Sequence, residues 1–205
     1  ERFRDIPVAN VSDSMSRMSA GGARLRPMHA GGRLAGPALT VRTRPGDNLM
    51  VHKALDMAEH GDVVVVDAGG DLANAIIGEL MVAHAIRRGI AGIVIDGAVR
   101  DIASIRAGRF PVYAAGVTHR GPYKDGPGEI NVPIAIGGMV VAPGDLVLGD
   151  EDGVLSVAID EAEAVLRAAA AKNRAGEGEL VAFRDGTADR SWVDRALRDR
   201  GCAME

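Results

Sequence analysis

The sequence predicts a layered α/β sandwich with a mixed, strand-rich core, and three observations carry that prediction. The stretch "DVVVVDAGG" holds four consecutive valines between turn-forming residues, the pattern of a strand buried on both faces. Strand and helix alternate through the first half of the chain and give way to strands in the second, so layers fit better than a uniformly alternating fold. Hydrophobic residues make up 47% of the chain but aromatics only 3%. The core must therefore be built from Val, Ile, Leu, Ala and Met, as in well-covered sheets.

Taken in order, "ANVSDSMSRM" offers Asn10 or Ser12 as the N-cap of a short first helix, and "GGARLRPMHAGG" reads as a loop. "GPALTVRTR" is a strand, and "PGDN" is a turn that leads into the helix "LMVHKALDMAEHG". The valine strand follows. Next come a helix over "ANAIIGELMVAHAIRRG" and the strand "IAGIVIDG". "FPVYAAGV" and the run "NVPIAIGGMVVAPGDLVLGDEDGVLSVAI" supply short strands. A helix with an acidic first turn starts at Asp160, and "DRSWVDRALRDRG" forms a last, peripheral one. Residues 1–175 are expected to form the main domain and 176–205 a C-terminal extension carrying the peripheral helix. The chain of 205 residues is long enough to bury one sizeable core.

Charge and composition narrow the function. A formal net charge of −4 and scarce aromatics argue against a nucleic-acid binder, which needs a basic face and stacking surfaces. The single cysteine, Cys202 near the chain end, excludes an intrachain disulfide framework and a thiolate metal cluster, and points to the cytoplasm. No apolar run approaches the length of roughly 18 residues that a membrane span needs. His29, His52, His60, His84 and His119 show no pair at zinc spacing.

The chemistry concentrates in "GELMVAHAIRRGIAGIVIDGAVRD", from Gly78 to Asp101. If a helix begins at Gly78, the N–H groups of Glu79, Leu80 and Met81 belong to its unsatisfied first turn, where the helix dipole favours an anion. Glycine there would let a ligand approach the backbone, with Glu79 projecting an acid at the same spot. The helix turns at Gly89 and the chain returns through a strand ending in Arg100 and Asp101. Both ends of the segment can thus meet at the crevice where α/β sheets hold ligands. Arg100 offers a planar guanidinium for anionic or carbonyl oxygens, and Asp101 a hard oxygen ligand for a divalent cation. On spacing alone, a first-turn Glu is more often a dipole partner than a catalyst, and an Arg-Asp pair is more often a solvated turn. Lys124, in the glycine-rich loop "GVTHRGPYKDGPGEINVP", reads either as an anion contact or as a plain surface lysine.

These motifs resemble the RraA-like superfamily, and within it the class II pyruvate aldolases acting on 4-hydroxy-4-methyl-2-oxoglutarate and 4-carboxy-4-hydroxy-2-oxoadipate. The resemblance rests on "GELM", on "IDGAVRD" with twenty residues between Glu79 and Arg100, and on "RPGDNLMVHKAL", "GDVVVVDAGG" and "GPYKDGPGEINVPIAIGGMVVAPGDLVLGDEDGV". It implies an RraA-like α/β/β/α sandwich and metal-dependent retro-aldol cleavage of a 4-hydroxy-2-oxo di- or tricarboxylic acid to pyruvate, with oxaloacetate decarboxylation as a side activity. It further implies that Asp101 binds Mg²⁺ or Mn²⁺, that Arg100 holds the keto-acid oxygens, and that Glu79 positions a water associated with the metal. Gly78 and the amides of Leu80 and Met81 would receive the pyruvyl carboxylate. Beside these implied roles, Lys124 is the candidate to meet the substrate's distal carboxylate, with His52 and Asn48 next in line for substrate choice. Homotrimers or hexamers with active sites at subunit interfaces are implied as well. Two other readings stay open: an RraA-like regulator that binds a ribonuclease, and a methyltransferase, for which the sequence has no glycine-rich nucleoside loop after an early strand.

Overall fold

In a computed structural model of the chain, residues 2–202 are described. The first half supplies α1 (Val8–Asp13), β1 (Arg26–Pro27), β2 (Leu34–Thr43), α2 (Leu49–Met57), β3 (Val63–Asp67), β4 (Ala75–Ile77), α3 (Glu79–Arg88) and β5 (Gly92–Val99). The second half supplies α4 (Ile102–Ala107), β6 (Val112–Val117), β7 (Gly128–Ile130), β8 (Ile134–Ile136), β9 (Met139–Val141), β10 (Leu146–Asp150), β11 (Gly153–Val157), α5 (Ala162–Arg184) and α6 (Ser191–Asp199). No helix among the described residues is long and apolar enough to cross a membrane.

The main sheet has the order β1-β6-β5-β3-β2-β10-β11, with β4 added to β5 and β7 to β2. Its centre, β6-β5-β3-β2, is parallel, and β1, β10 and β11 pair antiparallel at its margins. The margins curl toward each other. Arg26 of β1 donates to the carbonyls of Glu151 (3.1 Å) and Asp152 (2.9 Å) at the β10–β11 turn, so the sheet nearly closes into a barrel.

The four valines show why both faces are apolar. Val63 and Val65 point inward to Leu34, Val94 and Tyr113, where the β8–β9 hairpin fills the interior with Ile134, Ile136, Met139 and Val141. Val64 and Val66 point outward to a cluster with Val51 and Leu55 of α2 and Val82 and Ala85 of α3. This strand alternation puts successive side chains into two different cores. A third cluster joins α1 and α5 to β10 and β11 through Val11, Leu148, Leu155, Leu166 and Ala169.

Several expectations shift at element ends. Asn10 and Ser12 lie inside α1, whose N-cap is Pro7. The helix start is secured instead by Asp150, whose Oδ2 accepts the Val8 N–H at 2.8 Å from far along the chain. Ala75–Ile77, expected as helix, is the strand β4, because its backbone pairs with the end of β5. β1 lies within the expected loop, and α4 follows Asp101 without having been anticipated. α5 continues to Arg184, through residue 175 without a break. What changes along it is burial: Val165, Leu166 and Ala169 are packed, whereas Leu180, Val181 and Phe183 are exposed, as is Trp192 of the peripheral α6.

Candidate active site

β4 and β5 run parallel and end side by side, with the Arg100 N–H donating to the Ile77 carbonyl at 3.0 Å. Each strand passes at once into a helix, β4 through Gly78 into α3 and β5 through Asp101 into α4. Two helix starts therefore face one spot. The approach is so close that a Cβ on Gly78 would clash with Asp101 Oδ2 and lie 3.0 Å from Arg100 Cγ, so any larger residue there would force the Asp101 carboxylate to move.

Asp101 adopts the left-handed conformation (φ 56°, ψ 38°), which is uncommon outside glycine and which Asp tolerates better than most. Its Oδ2 accepts the Glu79 N–H at 3.0 Å and stands 3.7 Å from Arg100 Nε. The carboxylate of one strand end thus caps the helix that grows from the other. Both side chains remain open to solvent, Arg100 at 43% and Asp101 at 37% exposure. Asp96, four residues before Arg100, is buried beside Arg24, with a closest approach of 3.8 Å.

A cavity of about 290 Å³ opens beside this pair, with Gly78, Leu80, Met81, Arg100 and Asp101 in its wall. Of the two amides expected to receive a carboxylate, that of Met81 donates to the Gly78 carbonyl at 3.1 Å. The Leu80 N–H has no partner among the described residues. Glu79 does not line this cavity. It borders an adjoining depression with Ser104, Thr118 and His119, to which Arg100 and Asp101 are also exposed.

The opposite wall comes from Asn48, His52 and Lys124. Asn48 is buried and donates through Nδ2 to the Ile76 carbonyl at 2.8 Å, which leaves its Oδ1 to accept from Lys124 Nζ at 3.1 Å. Lys124 Nζ also lies 3.0 Å from His52 Nε2. An ammonium can only donate, so this nitrogen of His52 is the acceptor and its proton sits on Nδ1. Burial pushes the His52 pKa down, and the Lys124 charge pushes it further in the same direction against the nearby Asp56. The loop carrying Lys124 turns onto the cavity of its own chain.

Sequence reasoning passed over Asp47 and Asn74, which hold that loop. Asn74 donates to the Gly121 carbonyl, and buried Asp47 accepts the N–H groups of Asp125 and Gly126. The only signal was the tripeptide "PGD", which reads as a turn wherever it occurs.

A divalent cation fits the Asp101 corner in one manner only. No group of three or more His, Cys, Asp or Glu gathers among the described residues, so a protein cage is absent there. One accessible carboxylate beside open cavity space suits a hard cation that keeps most of its water and shares its remaining sites with substrate oxygens.

A curled, mixed sheet thus carries a small cavity at the ends of its parallel strands, lined by Arg100 and Lys124 together with Asp101. Residues 8–156 match the family model RraA-like, described as Aldolase/RraA, and the chain belongs to that family. A protein of Halalkalibacterium halodurans, provisionally named 4-hydroxy-4-methyl-2-oxoglutarate aldolase, is 39% identical over 197 residues, 96% of this chain and 94% of its own. Among solved structures, an uncharacterized protein from Pseudomonas syringae pv. tomato superimposes with a TM-score of 0.81 at 26% identity, covering 90% of this chain and 91% of its own. The RNA-processing inhibitor RraA from Thermus thermophilus does so with 0.69 at 33% identity, covering 75% of this chain and 93% of its own.

Proposed function

We propose that this chain is a divalent-metal-dependent pyruvate aldolase, cleaving a 4-hydroxy-2-oxo di- or tricarboxylic acid to pyruvate and a second keto acid. The observation that carries this reading is the convergence of Gly78, Arg100 and Asp101 on one small cavity, in a chain whose full-length relative carries an aldolase name. Retro-aldol cleavage breaks the bond between C3 and C4, passes the 4-hydroxyl proton to a base so that C4 becomes the carbonyl of the second keto acid, and leaves the electron pair on the enolate, which takes up a proton at C3 to give pyruvate. Arg100 is positioned to donate to the oxygens on which that charge develops. The free Leu80 N–H at the start of α3 receives the pyruvyl carboxylate, aided by the helix dipole. Glu79, on the far side of the Arg100–Asp101 pair, holds the water that accepts the hydroxyl proton. Asp101 would hold Mg²⁺ or Mn²⁺, which when bound supplies Lewis-acid polarisation of the keto group. Lys124 and its partners face the rest of the substrate and suit a second carboxylate.

The same donors would stabilise the enolate left when oxaloacetate loses carbon dioxide, so decarboxylation is a side activity of this site. Assembly into trimers or hexamers would let a second copy border the depression beside Glu79. The likeness to the Thermus RraA structure favours one other reading, a protein-binding regulator of a ribonuclease. Pyruvate release from a panel of 4-hydroxy-2-oxo acids, with the protein stripped of metal and then given Mg²⁺ or Mn²⁺, separates the two. Metal-restored turnover is expected. No turnover on any such acid with either metal would favour the regulator.

A further inference from the structure

Lys124 reaches the cavity from the segment between β6 and β7, which has no regular secondary structure of its own around that residue. We propose that Asp47 is its positioning residue: a buried carboxylate that never meets substrate, yet sets how tightly the far end of the substrate is held. The role in binding rests on the keto-acid reading above; the anchoring itself does not.

Asp47 is fully buried, and its hydrogen-bond partners join two segments distant in sequence. Oδ2 accepts the N–H groups of Asp125 at 2.7 Å and Gly126 at 3.0 Å, the two residues directly after Lys124. Oδ1 accepts the N–H of Leu49 at 2.9 Å, the first residue of the helix that carries His52. On the other side of Lys124, Tyr123 donates to the Gly46 carbonyl at 2.8 Å and accepts from the Asn48 N–H at 3.0 Å. One side chain thus clamps the backbone on which Lys124 sits to the first turn of the helix that bears Asn48 and His52.

A buried carboxylate is costly unless hydrogen bonded. Burial by itself raises the Asp47 pKa, but the three N–H groups and Arg44, 3.4 Å away, together hold it below the usual aspartate value. Asp47 therefore stays ionised, and an isosteric amide cannot replace it. Asparagine would turn an NH₂ toward N–H donors on one side or the other and lose the charge that strengthens all three contacts, so the clamp on the loop loosens in either orientation.

His52 reports the outcome without any assay of turnover. Its pKa is lowered by burial first and then by the Lys124 charge, raised by Asp56, and lowered by His84. If Lys124 swings away, the His52 pKa rises. Direct loss of the Asp47 negative charge would move it the opposite way, so the sign of the change identifies its cause.

The experiment is an NMR titration of His52 in the full chain, comparing wild type, Asp47→Asn, Lys124→Met and the double variant. Asp47→Asn and Lys124→Met are both expected to raise the His52 pKa, with the double variant no different from Lys124→Met alone. KM for a tricarboxylate aldol substrate should rise in the same non-additive pattern, by roughly tenfold, the scale of one lost charge-assisted contact. A folded Asp47→Asn protein whose His52 titrates as in wild type, or shifts that add in the double variant, would overturn the proposal. Asp47→Glu keeps the buried charge and its acceptors but displaces them by a methylene. It serves if the asparagine variant does not fold, with the same two outcomes deciding. A His52 shift in a protein inactive on every keto acid would uphold the anchoring while overturning the aldolase reading.

Discussion

The two walls of the cavity are built by opposite means. The Gly78–Arg100–Asp101 wall comes from one continuous segment, strand end to helix start twice over, and a side chain at Gly78 would displace the Asp101 carboxylate. The Asn48–His52–Lys124 wall is assembled from a helix and a loop whose Asn48 and Lys124 stand 76 positions apart, held by hydrogen bonds to backbone. The first wall has rigid elements behind each group, as chemistry at a reacting centre requires. The second is joined across long stretches of sequence by individual hydrogen bonds, an arrangement that suits discrimination among substrates.

The comparison predicts that variants in the first wall lower kcat on every substrate and that variants in the second raise KM selectively. The largest effect is expected from Asp101→Asn, which keeps the left-handed backbone and an acceptor for the Glu79 N–H but loses the charge that would hold a cation. Turnover should fall to background at any Mg²⁺ concentration, with thermal stability near wild type. Substantial activity restored by excess metal would show that the cation is held elsewhere.

Gly78→Ala comes next. Its added methyl would sit where Asp101 Oδ2 now lies, so the carboxylate must move. A displacement of about 1 Å at a reacting centre costs on the order of 10²-fold in kcat. Unaltered kcat on pyruvate-yielding substrates would mean that the close packing at the two helix starts has no catalytic consequence.

Arg100→Lys tests whether that wall works by charge or by shape. Lysine retains the charge and loses the planar fork, and a loss of roughly 10²-fold in kcat is expected, comparable to removing an oxyanion donor. Near wild-type turnover would reduce Arg100 to a diffuse charge.

The smallest effect belongs to the second wall. Lys124→Ala should raise KM for a tricarboxylate aldol by roughly tenfold while leaving oxaloacetate decarboxylation nearly unchanged, because a distal contact shared by ground and transition states acts on binding alone. Equal losses on both substrates would erase the distinction between the walls.

Legibility in the sequence follows the same division. The valine strand, the helix after Gly78 and the Arg-Asp strand end are local patterns, and each appears in the structure where periodicity and turn chemistry put it. Gly78 and Asp101 were singled out for ligand approach and for oxygen ligation, but the contact between them was not legible. Asp47 read as one of several turn residues, since nothing in "PGDN" reveals that its carboxylate will meet the N–H groups of Asp125 and Gly126. The start of α1 is not legible for the same reason, being secured by Asp150 rather than by a neighbour in sequence.

What the chain determined by itself was what hydrogen bonding and burial within a few residues can specify: the alternation that makes both faces of β3 apolar, the glycine before α3, and the spacing that returns Arg100 and Asp101 to the same strand ends. Tertiary structure alone decided that Ala75–Ile77 pairs as a strand, that the sheet curls until Arg26 meets the β10–β11 turn, and that Lys124 turns into its own chain's cavity. Each of those outcomes depends on backbone partners distant in sequence, whose availability is set by how the sheet closes and is invisible in any local pattern.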